Sequence, residues 1–322
     1  MTDILNGLNN PQKEAVTTIQ GPVMVIAGAG SGKTKALTHR IAYMIQEGIN
    51  PFAIMALTFT NKAAKEMKDR IMKLVDPHAA RNVWMGTFHS IFARILRIEA
   101  QYLGFTQDFT IYDTDDSKQL INAILKEREL DTKAYPAKYI LHRISMAKSA
   151  LYTPEDYCNN FEIQQQDLRA NKPLIGEIFK TYNNRLQRAN AMDFDDILFY
   201  TNVLLRDFPE ILYKYQQRFE YILVDEYQDT SYSQNEIVFG LIDGSEEKNV
   251  FVVGDDDQII YGFQGANMTN LETFLNRYPD TKVITLNENN RSTQTILDFS
   301  HKLIEQDNTR LEVNQDFSKY SI

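Results

Sequence analysis

Apolar residues along this chain fall into short continuous runs separated by stretches of helical spacing. The runs cover residues 23–27, 53–59, the neighbourhood of 83–87, then 221–224, 250–253 and 283–286. Continuous apolar runs of four to seven residues are the mark of strands buried on both faces, as in a parallel sheet covered by helices on each side. Between them the period changes: residues 35–47 carry Leu37, Ile41, Met44 and Ile45 at helical spacing, and Gly48 supplies a stop. From 113 to 190 the runs cease, and Leu120, Ile121, Ile124 and Leu125, then Tyr139, Ile140 and Ile144, follow a helical period. The pattern predicts an α/β fold with a parallel sheet, split in sequence (1–112 and 191–286) by an inserted all-helical domain at 113–190. Residues 306–322 are polar and weakly periodic, as at a frayed or cut end.

The first strand leads into Ala27, Gly28, Ala29, Gly30, Ser31, Gly32, Lys33 and Thr34, followed by a helix-compatible sequence. Small residues there let successive backbone N–H groups point at a phosphate chain, and the following helix adds the positive end of its dipole. Lys33 would reach the terminal phosphates, and Thr34 would hold Mg2+. Ala27 stands where this phosphate-loop pattern has glycine. A flexible surface turn is the competing reading of the segment alone. The run at 221–224 ends in Asp225 and Glu226, two carboxylates at the edge of a parallel sheet where ligands bind. Asp225 would hold Mg2+ through its water shell, and Glu226 would orient and deprotonate an attacking water. After the run at 250–253 come three aspartates and Gln258, placed to sense a terminal phosphate; a solvated turn fits those residues equally.

Aromatic residues stand beside polar or basic ones at 58–62, 87–90, 192–196 and 261–265. Such pieces stack bases in nucleic-acid proteins and pack cores in others. Lys62, Lys65, Lys68 and Arg70 share a helix with apolar Ala64, Met67 and Ile71, which also suits a plain solvated face. Composition narrows the field: in a 322-residue chain, 43% hydrophobic and 24% charged residues describe a folded globular protein. A net charge of −9 argues against a generally basic nucleic-acid binder but permits a local cationic groove. Cys158, the sole cysteine, excludes a disulfide within the chain, makes a cysteine metal site implausible and fits a reducing cytoplasm. With no basic segment followed by an apolar one at the N-terminus and no long apolar run, export and membrane insertion are not expected.

Taken in order, these pieces resemble the UvrD/PcrA/Rep-type superfamily 1 DNA helicases. The resemblance runs through LNNPQ at 8–12, AGAGSGKT at 27–34, TFTNKAAKEM at 58–67, TFHS at 87–90, DEYQDT at 225–230, VGDDDQIIYGFQGA at 253–266 and NNRST at 289–293. It implies a RecA-like P-loop NTPase fold and an ATP-dependent translocase of 3'-to-5' polarity, with ATP and Mg2+ as cofactors. Its partners would be single-stranded DNA and single/double-strand junctions, with no membrane. By resemblance Gln12 would read adenine, while Gln258 and Arg291 would sense the terminal phosphate. Phe59, Asn61, Thr87, His89, Phe194, Tyr261 and Phe263 would face single-stranded DNA, and the helical insertion would touch the duplex. Phe263 stands where many members have Trp, Gln264 replaces a familiar Arg, and Asn290 replaces an aromatic that stacks on adenine in relatives. The family's later motifs do not follow Arg291, so residues 287–322 read as the start of a truncated second motor domain, and this piece alone is expected to hydrolyse ATP only slowly. A nucleotide-dependent DNA-binding or regulatory module without productive turnover, and the helicase part of a helicase-nuclease, are the alternatives.

Overall fold

In the computed structural model, residues 3–255 and 269–304 are described. The chain divides into two compact units. The first takes in Met1–Ile91, Leu212–Ser231 and Val238–Ile322, and the second Phe92–Ile211 and Tyr232–Ile237.

The first unit is built on six parallel strands. They are β1 (Val23–Ala27), β2 (Ile54–Thr58), β3 (Trp84–Thr87), β6 (Tyr221–Val224), β7 (Val250–Gly254) and β8 (Lys282–Leu286), in the spatial order β3-β2-β6-β7-β1-β8. Each begins within a residue or two of an apolar run, because such a run satisfies a strand that is covered on both faces. Every residue of β1 is fully buried. Register sets the important ends level: Val25 lies beside Val253 of β7 and Ile284 of β8, and Leu57 of β2 lies beside Val224 of β6. Helix α1 (Asn10–Thr17) opens with a capping box in which the Asn9 side chain accepts from the Gln12 backbone and Gln12 returns the bond. Helices α2 (Lys33–Gln46), α3 (Asn61–Leu74) and α4 (Pro77–Asn82) follow the early strands. Leu37, Ile41 and Met44 of α2 and Met67 and Ile71 of α3 join Val23, Val25, Ile54, Phe251 and Ile284 in one core. Arg40 crosses that core. Its guanidinium lies 4.3 Å from the Phe251 ring centroid and donates to the carbonyls of Ala15 and Thr18. Burial pushes it down to about 9, so it remains charged at neutral pH. Helices α14 (Thr269–Arg277) and α15 (Gln294–Ile304) complete the described part.

The second unit is mainly helical. Helix α5 (Phe88–Glu99) straddles the division, and α6 (Thr114–Glu127), α7 (Ala137–Ser149), α8 (Pro154–Asn159), α9 (Phe161–Arg169) and α10 (Ile175–Arg188) occupy the span 113–190. That span is closed at its base by β4 (Thr110–Tyr112) and β5 (Ala191–Asp193), which pair in parallel with Ile111 beside Met192. Three-residue strands leave no periodic trace in a sequence, which is why the spacing did not predict them. Helix α11 (Phe194–Asp207) comes next, while α12 (Pro209–Arg218) and α13 (Tyr232–Ile242), which follows β6, each cross the division as α5 does. The unit is therefore wider than 113–190, because polar ties fasten the flanks to it. Thr110 N donates to Asn190 O at 3.0 Å, and buried Lys148 of α7 sits 2.7 Å from both Asp193 and Asp196. Its core gathers Ile121, Ile124, Ile140, Ile144, Phe179 and Tyr182. Among the described residues no helix is long and apolar enough to cross a membrane.

Candidate functional site

The C-terminal ends of β1, β7 and β6 are neighbours in the sheet, and each delivers one part of a polar cluster. From β1 comes the loop 28–32. The Ser31 hydroxyl donates to the Gly28 carbonyl at 2.7 Å, holding the turn closed. Gly30 and Gly32 both have left-handed backbone (φ 82° and 93°). A Cβ on Gly30 would lie 2.6 Å from the Arg291 Cβ, and one on Gly32 would lie 2.5 Å from Gln12 Nε2. Neither position has room for a side chain. Lys33 begins α2 and is nearly buried. Its Nζ stands 3.3 Å from Glu226 Oε2 and 4.0 Å from Asp255 Oδ2.

Asp225 and Glu226 follow β6. The Asp225 backbone N–H donates to Leu57 O at 2.9 Å, which carries the ladder one residue past the strand. Burial, reinforced by the charge of Glu226 and opposed by Lys33, pushes the Asp225 carboxyl up to about 7. Asp229 is pushed up to about 6, again by burial first and by Glu226 second. Glu226 has left-handed backbone (φ 50°, ψ 44°), uncommon for a residue with a side chain and costing about 1–2 kcal/mol. The cluster thus gathers the carboxyl groups of Asp225, Glu226, Asp229 and Asp255 around the Lys33 ammonium, and burial together with their mutual repulsion makes Asp225 and Asp229 hold protons more tightly. A divalent cation would displace those protons, and the hydroxyl of Thr34 with the Asp225 carboxylate are oxygen donors of the kind Mg2+ takes. Among the described residues no three His, Cys, Asp or Glu side chains close into a cage. A cation here would need water or phosphate oxygens for the rest of its shell.

Beside these groups lies a cavity of about 660 Å³, lined by Ala29, Gly30, Gly32, Lys33, Thr34, Lys35, Ala63, Glu66, Arg70, Glu226, Asn290 and Arg291. Ala27 itself is buried within β1 and does not line it. Gln12 is buried, and its Nε2 donates to Ser31 O at 2.9 Å while its Oε1 accepts from Asn9 N at 3.2 Å. Both ends of its amide are thus engaged, fastening the phosphate loop to α1. Arg291 reaches the loop because Asn289 anchors the segment. The Asn289 side chain donates to Ala29 O and accepts from the backbone of Arg291 and Ser292, and Asn290 N donates to Gly30 O at 3.0 Å.

Arg70, Asn289 and Gln228 have no role at this site that their positions in the sequence announce. Arg70 pairs with Glu66 one helical turn away and looks like any surface ion pair in the sequence, yet both line the cavity. Gln228 lies inside the acidic run but drew no role; it is 1% exposed and sits between Glu226 and Asp229.

At or just past the ends of β2 and β3 stand Phe59, Asn61, Thr87 and His89. Phe59 is half-buried with its ring edge-on to Phe88 at 6.2 Å, so part of its surface serves packing. Asn61 is exposed at the start of α3. The Thr87 hydroxyl accepts from Ser90 N at 3.2 Å. Burial pushes the His89 imidazole down to about 4, so it is neutral at physiological pH. In the second unit Phe194 opens α11 with 57% of its surface exposed, behind a capping box made by Asp193 and Asp196. Gln258, Tyr261, Phe263 and Gln264 lie outside the described residues.

Residues 8–279 match the sequence model of the family described as the UvrD/REP helicase N-terminal domain. The chain is 43% identical over 309 residues to the ATP-dependent DNA helicase PcrA of Leuconostoc citreum, an alignment covering 96% of this chain and 40% of that protein. It is 42% identical over 311 residues to the ATP-dependent DNA helicase PcrA of Staphylococcus aureus, covering 96% and 41%. With its namesake from Staphylococcus epidermidis it shares 43% over 314 residues, covering 96% and 41%. The chain spans about two fifths of the length of these relatives.

Proposed function

Since the chain belongs to the family of UvrD/REP helicase N-terminal domains, we propose that it is the ATP- and DNA-binding part of an ATP-dependent DNA helicase that moves 3'-to-5' on single-stranded DNA in the cytoplasm. The observation that carries this reading is the meeting of Lys33, Asp225 and Glu226 beside a cavity, at the ends of β1 and β6, the two strands that flank β7. In it, the ATPase core is drawn from residues 1–112 and 191–286, less 92–112, 191–211 and 232–237, which pack with the insertion. The insertion at 113–190 faces the duplex at a junction, and 287–322 opens the second motor domain.

The backbone N–H groups of the loop 28–32 and the Lys33 ammonium bind the phosphate chain of ATP. To do so Lys33 exchanges its contact with Glu226 for phosphate oxygens, which leaves the Glu226 carboxylate free to orient a water and take its proton. Thr34 and Asp225 hold Mg2+, which when bound offsets the charge of the phosphates and of the transition state. Gln12 reads the adenine edge, while Gln258 and Arg291 meet the terminal phosphate. Phe59, Asn61, Thr87, His89, Phe194, Tyr261 and Phe263 contact single-stranded DNA. Neutral His89 acts there as a hydrogen-bonding and stacking group, not as a phosphate cation.

The test is ATP hydrolysis by this chain with and without single-stranded DNA, beside Lys33→Ala. Turnover that depends on Lys33 and rises with DNA supports the reading. Nucleotide binding without any Lys33-dependent turnover favours the regulatory-module alternative. Equal affinity for Mg-ATP in wild type and Lys33→Ala removes the site.

A further inference from the structure

The Gln228 side chain makes three hydrogen bonds within the acidic cluster, and its amide can sit only one way round. Its Oε1 accepts from the backbone N–H of Asp255 at 3.1 Å, at the end of β7. Its Nε2 carries two hydrogens and finds two carboxylates, Glu226 Oε2 at 2.9 Å and Asp229 Oδ2 at 3.2 Å. Rotating the amide by half a turn would set a carbonyl against two carboxylates and an NH2 against an N–H. The surroundings admit no drift either. A Cβ on neighbouring Gly254 would lie 3.0 Å from Gln228 Oε1, so glycine there lets the amide lie against the strand end. The Gln228 backbone is held in turn, since the Asn270 side chain donates to Gln228 O and Thr230 O.

Glu226 is the group that needs this support. Its backbone is left-handed, its side chain is partly exposed to the cavity, and its contact with Lys33 at 3.3 Å is the one that a phosphate chain would take away. Once Lys33 turns to phosphate, the hydrogen bond from Gln228 is, among the described residues, the one that still ties the Glu226 carboxylate to the sheet.

Resting on the ATPase reading above, we infer that Gln228 is a positioning residue that holds the Glu226 carboxylate for water activation by bracing it against the backbone end of β7. Its action is on the chemical step and not on nucleotide binding, because it touches no group of the phosphate loop among its hydrogen-bond partners.

Two variants separate the arms of the amide. Gln228→Glu keeps the shape and the acceptor for Asp255 N–H but replaces the donor with a carboxylate. Gln228→Met keeps the volume and removes both arms. Single-turnover ATP hydrolysis and affinity for a non-hydrolysable ATP analogue are measured on this chain for both, for Glu226→Gln, and for Glu226→Gln combined with Gln228→Met. Misplacing a reacting group by about an ångström costs up to about a hundredfold in rate. Each Gln228 variant is therefore expected to hydrolyse about tenfold to a hundredfold more slowly, with analogue affinity kept within about threefold. The double variant should be no slower than Glu226→Gln alone, since Gln228 acts through Glu226. Wild-type rates in Gln228→Glu, rate losses matched by equal losses of analogue affinity, or a double variant slower by the product of the two single effects would each overturn the inference. Absence of Lys33-dependent hydrolysis in the wild type would instead overturn the ATPase reading on which it rests.

Discussion

Replacing Lys148 by methionine should destabilise the helical unit strongly, and more so as the pH rises. Lys148 is 1% exposed, and its ammonium lies 2.7 Å from Asp193 Oδ2 and 2.7 Å from Asp196 Oδ1. The Tyr182 hydroxyl donates to the same Asp193 oxygen at 2.9 Å, and the two aspartates cap α11 reciprocally through each other's backbone N–H. At an effective dielectric of about 20, unit charges about 2.7 Å apart attract by roughly 6 kcal/mol. Desolvation of all three ions offsets much of that. The loss on removing one partner of a buried pair is about 3–5 kcal/mol, because the carboxylates are left uncompensated. That is a large part of the roughly 5–15 kcal/mol by which domains are stable. The pH dependence follows from the carboxyls. Burial pushes Asp193 up, but Lys148 outweighs it and holds the group below the usual carboxylate range; burial and the charge of Asp193 push Asp196 up to about 7 despite Lys148. Without the lysine both rise. A carboxyl raised in the folded state contributes stability that is full below its unfolded pKa of about 3.9 and is lost as pH rises through its folded pKa. The gap between wild type and Lys148→Met should therefore be smallest near pH 5 and widest near pH 8, the window in which the variant's raised carboxyls ionise. Urea unfolding followed by far-UV circular dichroism reads the helices of both units, while the one tryptophan, Trp84, reports on the sheet unit, so a circular-dichroism transition that shifts in the variant without a matching shift in tryptophan fluorescence belongs to the helical unit. A gap under about 1 kcal/mol at pH 8, or one that does not change with pH, would refute the account of two buried carboxylates held by one ammonium.

Lys33→Ala should weaken Mg-ATP binding by at least about tenfold in calorimetry, the effect of losing a charge-assisted hydrogen bond of about 1.5–3 kcal/mol. Gln12→Ala should narrow any preference for ATP over GTP, and should lower the melting temperature as well, because the same amide fastens Ser31 O; an unchanged preference would confine Gln12 to the structural role. Phe59→Ala and Phe194→Ala should each cost on the order of 1–3 kcal/mol of single-strand affinity with little sequence preference. Exposed Phe194 should do so without loss of thermal stability, and the reverse pattern would assign it to packing. Affinity for single-stranded DNA should fall as salt rises, and a flat response in a salt titration would argue against phosphate contacts.

Much of the site was legible because its parts are consecutive residues. A strand, a glycine-rich turn and Lys33-Thr34 are read off one stretch, as are Asp225 and Glu226 at the end of a strand, since these follow from local period and from which residues tolerate a tight turn. What could not be read are the partners those residues choose. Arg70 and Glu66 make an ordinary helical pair in sequence, and their place beside the phosphate loop depends on how α3 packs on the sheet. Gln228 gave no signal, because its meaning comes from Asp255, 27 positions away.

The sequence by itself determined the strands of the sheet, the helical character of 113–190 and the residue types able to bind phosphate and activate water, all of which rest on short-range periodicity and chemistry. The tertiary structure decided which of them meet. Lys33 and Glu226 stand 193 positions apart, and Asn289 and Ala29 stand 260 apart, so only the order of strands in the sheet brings them together. It also decided that β4 and β5 close the base of the insertion, and that Asp193 and Asp196, an ordinary acidic pair in sequence, are buried around one lysine. Burial is a property of the packed chain: the same carboxylate is a solvated charge on a loop and a desolvated, pKa-shifted group inside a core, and no local pattern distinguishes the two.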